Sequence, residues 1–177
     1  MINLSSRPSR TELLRSKMPV EPRSAISSSL AQDSLQEIAR SVEWSQGEFS
    51  LILAHCNSCR LREQALQQLH HICSVPVREI SLDRSVDFLY ATIQEKLGRE
   101  SPQALTIWGF ESVEELDRLL VVTNFIFGEF QKNFHFPLIW WVDDATVRKL
   151  IRLAPDLYSR TTIVELTRSR EAAIAAA

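Results

Sequence analysis

The sequence predicts an α/β fold, a three-layer α/β/α sandwich around a mostly parallel five-stranded sheet. Three observations predict it. Five short apolar runs recur along the chain, as expected of strands covered on both faces. Between them lie segments whose apolar residues repeat at helical spacing. The 177 residues suffice for one core, and dividing them would leave two poor ones.

The elements follow in order. Over residues 27–43, Leu30, Leu35, Ile38, Ala39 and Val42 fall near one helical face. Ser27, Ser28 or Ser29 caps that helix and Gln46-Gly47 ends it. FSLILA, residues 49–54, is the first strand, and HCNSC is the loop after it. Residues 60–73 form a helix with Leu61, Ala65, Leu66, Leu69 and Ile72 on one side. Residues 75–82 are the second strand. Asp83 or Ser85 then caps a helix to Leu97, closed by Gly98. ALTIWGF, residues 104–110, is the third strand, and one long helix covers 113–130. FPLIWWV, residues 136–142, is the fourth strand. Asp143-Asp144 opens a helix to Leu153, and residues 161–166 are the fifth strand. The adjacent Trp140 and Trp141 are expected to pack on opposite faces of the sheet.

The domain is expected over residues 25–168, between an arm at 1–24 and a helix-prone tail at 169–177. The arm is interrupted by Pro8, Pro19 and Pro22. It sets five cations, Arg7, Arg10, Arg15, Lys17 and Arg23, against Glu12 and Glu21, and is expected to be flexible. A formal net charge of −2 gives no reason to expect nucleic acid or anionic lipid as a partner. No apolar run reaches the roughly 18 residues of a membrane span. The N-terminus lacks the apolar stretch of a secretory signal, so a cytoplasmic location is the expectation. Three cysteines, an odd number, do not suggest a disulfide framework.

In an open parallel sheet, ligands bind beyond the carboxyl ends of the strands. Those ends carry His55-Cys56-Asn57-Ser58-Cys59, Asp83-Arg84-Ser85, Glu111-Ser112, Asp143-Asp144 and Thr167-Arg168. A phosphate-binding loop needs glycines so that backbone N–H groups can wrap the phosphates, a lysine to neutralise them and a hydroxyl for Mg²⁺. The first loop here reads AHCNSCRLR, with neither glycine nor lysine. A helix N-terminus remains to attract an anion, with Arg60 or Arg62 to assist. Glu111 and Asp143-Asp144 are either ligand-edge acids or groups that favour helix starts.

Cys56 and Cys59 form a C-x-x-C at a strand-to-helix junction, where a thiol pKa falls, so thiol redox chemistry is an alternative. The aromatic-Cys-Gly-Pro-Cys context of thioredoxin-like proteins is missing. A metal site from Cys56, Cys59, His70, His71 and Cys73 is not expected. The two histidines point about 100° apart, at the far end of a helix roughly 20 Å long.

Four stretches together, FSLILAHCNSCRLREQALQQL, ALTIWGFESV, LLVVTNFIFGEFQKNFHFPLIWWV and LIRLAPDLYS, resemble a known family. It comprises the N-terminal domains of bacterial STAND-type, NTPase-like regulators, many of them cyanobacterial and often followed by tetratricopeptide repeats. The most specific part is TN-x₄-EF-x₃-F-x-FPLIWWV, leading after a helix to LAPDLYS, and the likeness covers residues 46–166. It implies a P-loop-NTPase-like fold and a signalling or scaffolding role. Asn57, Ser58, Arg60 and Arg62 would stand in the place of a degenerate phosphate loop, and Glu111 at the Walker B end. No repeat region follows, so the chain is a free-standing version or a piece of a longer regulator. The leading expectation is a non-catalytic domain that binds a protein partner at the carboxyl edge, with no cofactor beyond weak nucleotide binding. The enzyme alternative is a divergent NTPase in which Glu111 activates water and Arg60 or Arg62 holds phosphate.

Overall fold

The computed structural model describes the backbone of residues 24–166 and the side chains from Gln32 onward. The arm expected over 1–24, apart from Ser24, lies outside the described residues, as do Thr167-Arg168 and the tail at 169–177. Helix α1 spans Ser24–Trp44, β1 Ser50–His55, α2 Cys59–Ile72 and β2 Val77–Ser81. Helix α3 spans Leu89–Leu97 and β3 Ala104–Trp108, followed by a 3₁₀ turn at Phe110–Ser112. Then come α4 (Leu116–Phe125), α5 (Phe127–Asn133), β4 (Pro137–Val142), α6 (Asp144–Leu153), α7 (Pro155–Tyr158) and β5 (Thr162–Glu165).

The five strands form one sheet in the order β2-β3-β4-β1-β5, and every pairing is parallel. The step from β1 to β2 crosses the sheet in one direction. Those from β2 to β3, β3 to β4 and β4 to β5 cross it in the other. With crossovers of one hand, α2 must then lie on the opposite face from α3 to α7. The two cores show this division. Leu35, Ile38 and Val42 of α1 and Ala65, Leu66 and Leu69 of α2 pack on Ile52, Ala54, Ile139, Trp141 and Val164. The alternate strand residues, Leu51, Leu53, Ile107, Leu138 and Trp140, meet the helices from α3 to α7. The expected three-layer sandwich is therefore the observed one.

Trp140 and Trp141 are both fully buried, one in each core. Trp141 Nε1 donates to Thr106 Oγ1 at 2.7 Å, which satisfies two polar groups inside the sheet. Trp140 packs on the Phe110 ring, with centroids 5.0 Å apart, and its N–H has no partner among the described residues.

Four expectations need correction, and one helix was not expected at all. Helix α1 starts at Ser24, so Ser27, Ser28 and Ser29 lie within it and do not cap it. Helix α3 starts at Leu89, not after Asp83 or Ser85. Residues 83–86 instead close a turn through Val86 N–H and the Asp83 carbonyl (3.2 Å), which buries Val86, while the Asp83 carboxylate faces Lys96. The long helix over 113–130 is two helices joined at Ile126. Its apolar stripe is continuous across the junction, so periodicity carries no sign of the break. The bend sets Phe127, Phe130 and Phe134 into a ring cluster with Phe49 and Tyr90. The third strand stops at Trp108, because Gly109 adopts φ +97° and turns the chain. Finally, α7 has no counterpart in the periodicity. Proline occupies its first turn, and Asn124 Oδ1 of α4 accepts from Leu157 N–H at 2.9 Å.

Among the described residues, no helix is long and apolar enough to cross a membrane.

Candidate functional site

Strands β1 and β4 are neighbours, yet the chain leaves them towards opposite faces, into α2 and α6. The crevice between their carboxyl ends is the topological switch point, where a doubly wound sheet offers room for a ligand. The first loop and the Asp143-Asp144 pair meet there.

The ladder runs past the end of β1. Cys56 N–H donates to the Val142 carbonyl at 2.9 Å, and Leu166 N–H donates to the His55 carbonyl at 2.8 Å. Ser58 is the N-cap of α2, its hydroxyl accepting from Leu61 N–H at 3.3 Å. It thereby takes up one of the free N–H groups that a phosphate at this helix start would use. Asp143 caps α6 in the same way, accepting from Thr146 N–H at 2.8 Å. Asn57 reaches across the crevice, and its Oδ1 accepts from Asp144 N–H at 2.8 Å. The His55 ring reaches across as well, with Nε2 2.6 Å from Asp144 Oδ1. Asn57 and His55 hold the Asp144 carboxyl below its ordinary value.

A second bridge joins the first and third loops. Arg62 of α2 pairs with Glu111 at 2.5 Å, and the two side chains are only 13% and 30% exposed. The Arg62 guanidinium also lies over the Trp108 ring, 5.3 Å from its centroid. Gly109 makes this reach available by turning the chain between Trp108 and Glu111. A Cβ there would stand 3.1 Å from the Leu82 carbonyl oxygen.

The structure thus brings Asn57 and Asp144 together, and Arg62 and Glu111 together, as two separate bridges. Arg60 is exposed and makes no side-chain hydrogen bond or ion pair among the described residues. Cys56 is buried and Cys59 exposed, both as free thiols. Burial pushes the Cys56 thiol up, although a backbone hydrogen bond at Ser58 and the charge of Arg62 oppose the shift. A redox pair at this junction needs the opposite direction. Cys73, at the far end of α2, is pushed up to about 11 by burial and by Glu43. Among the described residues, no three His, Cys, Asp or Glu side chains gather as a metal site.

Sequence reasoning placed His55 at the ligand edge without giving it a role, and missed Glu79 and Trp108. Trp108 Nε1 donates to Glu79 Oε1 at 2.6 Å, and His70 Nε2 lies 3.4 Å from Glu79 Oε2. One signal was available in β2. Glu79 shares a strand face with the buried Val77, and an acid at such a position demands a partner.

The residues behind the family likeness have structural work to do. Asn124 joins α4 to α7, the Ser159 hydroxyl donates to the Asp156 carbonyl at 2.9 Å, and Phe130, Phe134 and Phe136 are core. No family model matches the chain, and no curated protein matches it.

Proposed function

We propose that the chain is a non-catalytic, NTPase-like regulatory or scaffold domain that binds a protein partner at the carboxyl edge of its sheet, in the manner of a signalling module. One observation carries the reading: the polar groups at this edge satisfy each other. Arg62 and Glu111, the candidates for holding phosphate and activating water, are an ion pair. Asn57 and His55 are occupied by Asp144, and Ser58 by the start of α2. A nucleotide would have to displace these partners, in a loop without the glycines that let backbone wrap a phosphate. Arg60 and Cys59 remain exposed at the rim, a surface suited to a partner rather than to chemistry on a buried phosphate.

Calorimetry with ATP, ADP and GTP, with and without Mg²⁺, tests this on folded protein. The expected outcome is no saturable heat at millimolar nucleotide. Saturable binding at or below about 100 µM, some −5.5 kcal/mol, would overturn the reading and turn attention to hydrolysis.

A further inference from the structure

We infer that the free edge of β5 binds the same edge of a second copy of this chain, antiparallel and about a two-fold axis at Ile163, so that one sheet runs through both copies. This surface is not the crevice between β1 and β4, and the inference does not rest on the function proposed there. Strand β5 has a neighbour on one side only, β1. Leu166 N–H donates to the His55 carbonyl on that side. Alternation along the strand then turns the N–H and C=O groups of Ile163 and Glu165 outward. The Ser34 hydroxyl of α1 donates to the Glu165 carbonyl at 2.8 Å and takes one of its two lone pairs. Both groups of Ile163 and the Glu165 N–H stay open among the described residues.

The two edges of the sheet differ. Strand β2, the other edge, carries the marks of an edge kept from pairing. Pro76 precedes it, Arg78 and Glu79 stand within it, and Lys96 Nζ donates to the Ser81 carbonyl at 3.2 Å. Strand β5 reads Thr-Ile-Val-Glu, three β-branched residues in a row with neither lysine nor proline. Val164 lies in the core beneath α1 and α2, so Ile163 belongs to the other face, and it is 40% exposed. Helix α6 leads from β4 towards β5 on that face. Its Lys149 pairs with Asp117 of α4 at 2.6 Å. Ile151, two residues on, therefore points away from α4 and towards β5, and it is 50% exposed. Two large apolar side chains thus stand open beside the one unguarded edge.

The edge is complementary to itself, which selects a second copy over a strand of unrelated sequence. Arg160 stands just before β5 and Glu165 at its end, and neither makes an ion pair among the described residues. The Arg160 side chain donates only to Gln131 Oε1, at 3.3 Å. A two-fold at Ile163 joins that residue to its own copy by N–H to C=O bonds in both directions and sets Thr161 opposite Glu165. Each Arg160 then comes beside a Glu165 of the second copy, twice per dimer. The next register, centred on Val164, would instead set the Glu165 carboxylate opposite Ile163. In the register at Ile163, the two Ile163 side chains meet on one face, between the Ile151 side chains of the two α6 helices.

Sedimentation of the full chain over a range of concentrations, with amide exchange read by NMR, tests this. A dimer with a Kd of about 100 µM or tighter is expected. Protection of the Ile163 amide should rise with protein concentration. Ile163→Lys should keep a native spectrum and weaken dimerisation at least about tenfold, since it sets two like charges on the axis. Arg160→Glu should weaken it roughly threefold or more, and Arg160→Glu combined with Glu165→Arg should restore it to within about twofold. A monomer at about 1 mM would overturn the inference. So would a dimer that Ile163→Lys leaves as tight, or one that the double charge reversal fails to rescue. An Ile163 amide protected equally at every concentration would overturn it as well, because the chain's own residues 1–23 or 167–177 would then hold the edge.

Discussion

The crevice between β1 and β4 and the groove beside Trp108 both border α2, and they use polar residues in different ways. In the crevice, Asn57, His55 and Ser58 meet acceptors and donors of the same chain, so the carboxyl edge is tied shut. In the groove, Glu79 accepts from Trp108 and lies 3.4 Å from His70, while Glu63 has no partner among the described residues. The difference teaches that polar side chains at a topological switch point can pair with one another across it. Topology creates the space, and side chains decide whether the fold itself fills it. The Arg62–Glu111 pair is the boundary between the two regions, since it closes the edge and neutralises the groove's one strong cation.

The sharpest way to break the comparison is at Gly109, which sets the path from Trp108 to Glu111. Gly109→Ala forces a Cβ into a left-handed conformation against the Leu82 backbone. A loss of about 2–3 kcal/mol in urea unfolding is expected, with the Trp108 environment changed in fluorescence or NMR. Wild-type stability would show that the turn relaxes freely and that Gly109 does not set the geometry.

Next comes the boundary pair. Arg62→Ala leaves Glu111 unmatched and uncovers Trp108. We expect a loss of about 1–2 kcal/mol, less than for a fully buried pair because Glu111 is partly solvated. A double-mutant cycle with Glu111→Ala should return a coupling of about 0.5 kcal/mol or more. Additive losses would mean that the bridge does not hold the two loops together.

The smallest expected effect lies in the crevice and depends on pH. The Asp144 carboxyl is held below its ordinary value of 3.8 by Asn57 and His55. Its folded-state pKa is therefore lower than its unfolded one. The stability it contributes is present above the unfolded value and is lost as pH falls through the folded one. Thermal melts of the wild type and Asp144→Asn should differ above about pH 4 and converge as the acid is protonated. A constant difference down to acid pH would show that the carboxylate's charge is not what ties the crevice.

Much of the architecture was legible because strands and helices write their burial into local periodicity. FSLILA and FPLIWWV read as strands covered on both faces, and their residues are buried in alternation in the two cores. Asp143 before Thr146 and Gly98 after Leu97 are terminal signals that act within a few residues, and both are found as caps. The break at Ile126 was not legible, because a bent helix and a straight one share the same stripe of apolar residues. Nor was α7, whose start is tied to Asn124, more than thirty residues earlier in the chain. The same division holds at the carboxyl edge. Asn57, Ser58, Glu111 and Asp144 were recognisable as edge residues from the strand ends, and Arg62 from the helix start that follows the first of them. That they pair with one another depends on which strand lies beside which.

The sequence by itself determined the α/β class, roughly where its strands fall, and that its first loop lacks the residues that wrap a phosphate. These are consequences of composition and short-range spacing, which any conformation of the chain carries. Only the tertiary structure decided the strand order, which makes β1 and β4 neighbours, and with it the closure of the edge by His55, Asn57 and Asp144. It alone turned the chain at Gly109 so that Arg62 meets Glu111 over Trp108. It alone brought Glu79 to Trp108 and His70 in a groove. Each of these joins residues far apart in sequence through side-chain geometry, and that information exists only once the sheet has formed.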